Sequence, residues 1–107
     1  AHAIEVKNQL TNQFGITNIG GYRAGDQDHG TGTALDVMVT SSAQGAAVAQ
    51  YVIDNYSSLG VSYIIWEQQF YSNLNSIYGA ANTWGAMPDR GSATANHYDH
   101  VHISLTY

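Results

Sequence analysis

Two short segments of this chain alternate with a period of two, and that pattern limits the folds open to it. In Ala34-Leu35-Asp36-Val37-Met38-Val39-Thr40, the apolar Leu35, Val37 and Val39 share one side while Asp36, Met38 and Thr40 share the other. In His100-Val101-His102-Ile103-Ser104-Leu105, the residues Val101, Ile103 and Leu105 oppose His100, His102 and Ser104. Successive side chains of a strand point to opposite faces, so both segments read as strands with one face on a core. The other face must then carry Asp36, His100 and His102.

The remaining segments supply layers to cover the core. Ala3, Val6, Leu10 and Phe14 recur at helical spacing and Gly15 follows as a C-terminal cap, which predicts a first helix. Ile16 to Ile19 reads as a short strand, and Ala24 to Thr33 as a loop rich in Gly and Asp. Ser41 with Gln44 forms a capping-box pattern, and Ala47, Val48, Tyr51, Val52 and Tyr56 predict a second helix ending near Gly60. Val61 to Trp66 is β-branched and aromatic at nearly every position, as expected of a central strand buried on both faces. Glu67 to Gly91 has no clean period and reads as one long structured loop, containing Tyr71, Tyr78, Trp84 and the single proline, Pro88. Strands and helices do not alternate strictly and the strands are short. The expectation is therefore a single α+β domain over residues 1–107, with a mostly antiparallel sheet, helices on one face and a cleft on the other.

Charge narrows the range of partners. Lys plus Arg number 3 against 8 Asp plus Glu, and the net charge of −5 argues against nucleic acid or an anionic membrane as the main partner. Only Lys7, Arg23 and Arg90 are basic, and Arg90 reads as a turn residue beside Asp89. No apolar run approaches the roughly 20 residues of a membrane span. The absence of Cys excludes thiolate zinc sites, iron–sulfur clusters and thiol catalysis. The chain opens on Ala1 and is rich in Gly, Asn, Ser, Thr and Tyr, and the expectation is a processed, secreted monomer. Asn55-Tyr56-Ser57 matches a glycosylation sequon, a triplet common by chance.

The five histidines are unevenly placed. Four lie either in His29-Gly30-Thr31-Gly32-Thr33-Ala34-Leu35-Asp36 or in Asn96-His97-Tyr98-Asp99-His100-Val101-His102. His29, Asp36 and His102 make the usual complement for a catalytic zinc ion, two imidazoles and a carboxylate with a fourth position left for water. A lone His-x-His in a strand is more often a solvated polar face. The combination with a distant His-x6-Asp changes that balance.

His29-x6-Asp36, preceded by Gly21-Tyr22-Arg23 and completed by Asp99-His100-Val101-His102, resembles the superfamily that unites lysostaphin-type peptidases, D-Ala-D-Ala metallocarboxypeptidases and the hedgehog signalling domain. The resemblance is closest to the D-Ala-D-Ala carboxypeptidase branch and runs from about Gly20 to Ser104. It implies His29, Asp36 and His102 as zinc ligands, Arg23 as the cation that holds a carbonyl or oxyanion, and hydrolysis of peptide bonds in peptidoglycan stems or cross-bridges. Carboxypeptidase relatives usually carry Glu three residues before the last ligand, where this chain departs with Asp99, one methylene shorter, whereas lysostaphin-like relatives use a His two before it, here His100. Strand parity favours His100 and the Gly21-Tyr22-Arg23 context favours Asp99. Asp99 is taken as the base, with His100 or His97 assisting. The alternative is a zinc-binding recognition module of the same fold without efficient hydrolysis.

Overall fold

A computed structural model describes residues 2–20, 33–89, 91–92 and 97–106. Helix α1 (His2–Phe14) buries Val6 and Leu10 and ends at Gly15, whose φ of 69° lets its N–H close on Thr11 O at 2.8 Å. Strand β1 (Ile19–Gly20) begins at the last residue of the expected Ile16 to Ile19 strand rather than at Ile16, and β2 (Ala34–Met38) follows. Helix α2 (Ser42–Asp54) starts as expected, with Ser41 Oγ accepting the Gln44 N–H, while the Gln44 side chain reaches back to the Thr40 N–H at 2.9 Å. The second helical stretch breaks at Asn55, and α3 (Tyr56–Leu59) is a single turn capped by Gly60 at φ 67°. The Asn55 side-chain amide donates to Tyr51 O at 2.8 Å, which engages the nitrogen of the sequon in capping.

The strands β3 (Val61–Trp66), β4 (Gln69–Ser72), β5 (Trp84–Ala86) and β6 (His100–Leu105) complete a six-stranded sheet in the order β1-β2-β6-β3-β4-β5. Every neighbouring pair is antiparallel. The fold is α+β, as the patterning predicts. The stretch from Glu67 to Gly91 corrects the sequence reading, because it contributes β4 and β5 rather than one long loop. Its first turn is a two-residue hairpin with both Glu67 (φ 49°) and Gln68 (φ 62°) in the left-handed region. That geometry matches the twist of the flanking strands but normally selects Asn or Gly.

Two rows of residues cross the sheet and separate its faces. Leu35, Ile103, Ile64, Tyr71 and Trp84 are register partners from β2 to β5, and all belong to or pack on the core that α1 and α2 cover with Val6, Leu10, Val48 and Val52. The adjacent row, Gly20, Asp36, His102, Ile65, Phe70 and Gly85, faces the opposite way. β3 is interior to the sheet as expected, although Tyr63 is only half-buried.

Trp66 fixes α2 against the sheet. Its ring lies so close to Gly45 that a Cβ there would stand 2.1 Å from Cζ2 and 2.3 Å from Cη2. Gly45→Ala is expected to lower stability by about 1–3 kcal/mol through overpacking, despite a helix-propensity gain of up to about 1 kcal/mol. Thermal unfolding checks this: the variant melts several degrees below the parent chain.

Candidate functional site

Asp36 and His102 are direct partners on β2 and β6. An antiparallel pair puts facing Cβ atoms only about 5 Å apart, so both side chains rise from the same spot on the non-core face. His102 Nδ1 donates to Asp36 Oδ1 at 3.0 Å, and both residues are buried. His100, one period earlier on β6, turns Nε2 toward the same carboxylate oxygen at 3.7 Å. One oxygen atom of Asp36 thus gathers two imidazoles.

Asp99 precedes β6 and stays more exposed than His100, with 41% of its side chain open to solvent against 9%. Its Oδ1 accepts from His100 Nδ1 at 2.7 Å. A carboxylate acceptor takes the hydrogen bond of a proton on Nδ1, and Nε2 is the nitrogen that faces Asp36. His97 completes the cluster: its ring centroid lies 4.6 Å from that of His100 and 5.7 Å from that of His102. It adopts φ 62°, a left-handed conformation held in part by the Glu67 N–H, which donates to His97 O at 3.0 Å. The strained hairpin turn and the strained histidine therefore brace each other.

Of the residues singled out from sequence, the structure brings together Asp36, His97, Asp99, His100 and His102. His29 and Arg23 lie outside the described residues, as does Arg90. Among the described residues no group of three His, Asp or Glu side chains is arranged to hold an ion. Glu67 is not part of the cluster, since its carboxylate takes the Ser42 hydroxyl at 3.1 Å.

On the aromatic side of the site Tyr78 is a residue that the sequence offers for lining a cleft, whereas Tyr63 and Phe70 are not expected there. Tyr63 stacks on His102 at 5.6 Å between centroids, Phe70 stacks on Tyr63 at 5.1 Å, and Tyr78 leans on Phe70 at 5.2 Å. These rings form a half-buried wall leading away from the histidines across β3 and β4. Gly85 admits Tyr78 to this face, because a Cβ at Gly85 would stand 1.9 Å from the Tyr78 carbonyl oxygen. The signal in sequence was the parity of Tyr63 and Phe70, each facing opposite to core residues beside it; it is readable only once β4 is recognised as a strand.

Among the described residues no helix is long and apolar enough to cross a membrane. A curated protein of Arthroderma benhamiae, named an uncharacterized secreted protein, is 27% identical to this chain, with 68% of the chain and 38% of the relative covered. The chain therefore spans well under half the length of that relative. No solved structure matches. The family model described as the VldE C-terminal domain matches residues 1–98, and the chain belongs to that family.

Proposed function

We propose that this chain is a secreted zinc-dependent hydrolase of peptide bonds in bacterial cell-wall peptides, with the ion held by His29, Asp36 and His102. The observation that carries the reading is the pair Asp36 Oδ1 and His102 Nδ1, buried and facing each other at 3.0 Å. Two ligand atoms at about 2.0–2.2 Å from a tetrahedral ion stand roughly 3.3–3.6 Å apart, so these two atoms, at 3.0 Å, would hold one zinc ion after parting by a few tenths of an ångström and losing the shared proton. When bound, zinc supplies a Lewis acid that polarises the scissile carbonyl and acidifies water.

The chain's own residues supply the proton handling. His100 Nε2 faces the metal-binding carboxylate and takes the proton of the attacking water, while Asp99 holds Nδ1 and keeps that tautomer in place. Asp99 is then a positioning residue and His100 the base, which favours the lysostaphin-like assignment over the carboxypeptidase-like one. His97, edge-on to His102 and beside His100, adds a donor near the developing charge. Arg23 is the cation that the resemblance assigns to the oxyanion.

Secretion is supported by the printed name of the fungal relative and by the low-charge composition. The test is digestion of purified peptidoglycan by the zinc-loaded chain, read by mass spectrometry of released peptides. New peptide termini that disappear with chelator and return with zinc are expected. A chain that binds zinc and releases nothing, even at high concentration, is instead a recognition module.

A further inference from the structure

The turn between β3 and β4 is built from the wrong residues for its geometry. Trp66 and Gln69 are register partners, so Glu67 and Gln68 alone close the loop, both at positive φ. Asn and Gly adopt that conformation at low steric cost, whereas Glu and Gln do not. A costly backbone of this kind persists where its surroundings over-determine it, and such places cluster at functional sites.

Here the surroundings are ties that lead to the histidines. The Glu67 carboxylate accepts the Ser42 hydroxyl, with both oxygens at 3.1 Å, which joins the turn to the first residue of α2. Gln68 is tied to two other segments: its Nε2 donates to Met87 O at 2.9 Å, its backbone O accepts the Met87 N–H at 2.8 Å, and the Tyr98 hydroxyl approaches its Oε1 at 3.4 Å. An Asn and Gly pair would relax the backbone and lose these side-chain ties. Held in this way, the turn directs the Glu67 N–H at His97 O, and His97 carries its ring to 4.6 Å from His100 and 5.7 Å from His102. The turn thus reaches the proposed base through His97 without touching it.

We propose that Glu67 and Gln68 are positioning residues: their side-chain ties hold the turn that sets His97, and so keep the His97 ring against His100 and His102. The use of that ring in the reaction rests on the hydrolase reading. The positioning itself is measured on the metal-free chain.

The intact chain, labelled with ¹⁵N and ¹³C, is compared with three variants. Glu67→Asn/Gln68→Gly favours the turn and lacks both ties, Glu67→Ala/Gln68→Ala lacks the ties and the favourable turn, and Glu67→Gln keeps an acceptor for the Ser42 hydroxyl. The first variant is expected to melt no lower than the second, because its turn is relaxed. Even so, its Overhauser contacts from the His97 ring to those of His100 and His102 weaken, and the backbone order parameter of His97 falls from about 0.85 toward about 0.6. Glu67→Gln retains the contacts and the order. A turn that served the fold alone would give another result, with the relaxed variant holding His97 as well as the parent does. The positioning role is overturned by that result, or by a Glu67→Gln chain that loses His97 as fully as the first variant. Turnover of a cell-wall peptide is read separately, and the first variant is expected to lose about 10–100-fold. A loosened His97 in a series where no chain cleaves peptide, the parent included, upholds the positioning and removes the hydrolase reading. Parent-level turnover by the loosened variant keeps the hydrolase reading and overturns the positioning role in the reaction.

Discussion

His100→Ala is expected to lose about 10²–10⁴-fold in turnover while still binding zinc, because a general base contributes that much and the ring is not among the proposed ligands. The variant keeps Asp36 and His102 in place, since their contact runs directly between β2 and β6. Asp99→Asn should lose less, about 10–100-fold, as a partner that orients the ring rather than reacting. Steady-state rates on a cell-wall peptide, with bound zinc measured on the same samples, check both. The reverse order, with Asp99→Asn the more damaged and His100→Ala nearly intact, returns the base to Asp99 and the mechanism to the carboxypeptidase pattern.

Asp36→Ala and His102→Ala are each expected to abolish stoichiometric zinc binding, and with it all hydrolysis. Two remaining ligands do not hold the ion tightly at neutral pH. The two variants should differ in stability. Removing His102 takes one donor from the buried Asp36 carboxylate, which keeps His100 within 3.7 Å, and removing Asp36 takes the acceptor from the His102 ring; each loss is expected to cost about 1–3 kcal/mol, the first the more because a charged group is costlier to leave short of a donor. Equilibrium dialysis against zinc and chemical denaturation of the metal-free variants measure the two effects separately.

The faces of the site strands were legible because burial on one side imposes a period of two. Leu35, Val37, Val101, Ile103 and Leu105 lie in the core, and Asp36, His100 and His102 share the opposite face, as alternation requires. Pairing was not legible. That Asp36 meets His102 rather than His100 follows from the register of β2 on β6, which depends on the whole sheet. The hairpin at Glu67-Gln68 escaped notice because its residues lack the Asn-Gly signature of a turn with two positive φ values; the chain adopts it where Glu67 is tied to His97 and Ser42. With that turn hidden, β4 and β5 read as a loop, and the ring wall of Tyr63, Phe70 and Tyr78 had no sheet to stand on. The strain at His97, paired with that turn, was invisible for the same reason. The expected contributions of His29 and Arg23 fall outside the described residues.

The most direct test is diffraction from zinc-soaked crystals, recorded on both sides of the zinc absorption edge. The account predicts one anomalous peak per chain, about 2.0–2.2 Å from an Asp36 carboxylate oxygen, from His102 Nδ1 and from a nitrogen of His29. A peak at another position, such as His2, or no peak between Asp36 and His102, would contradict it.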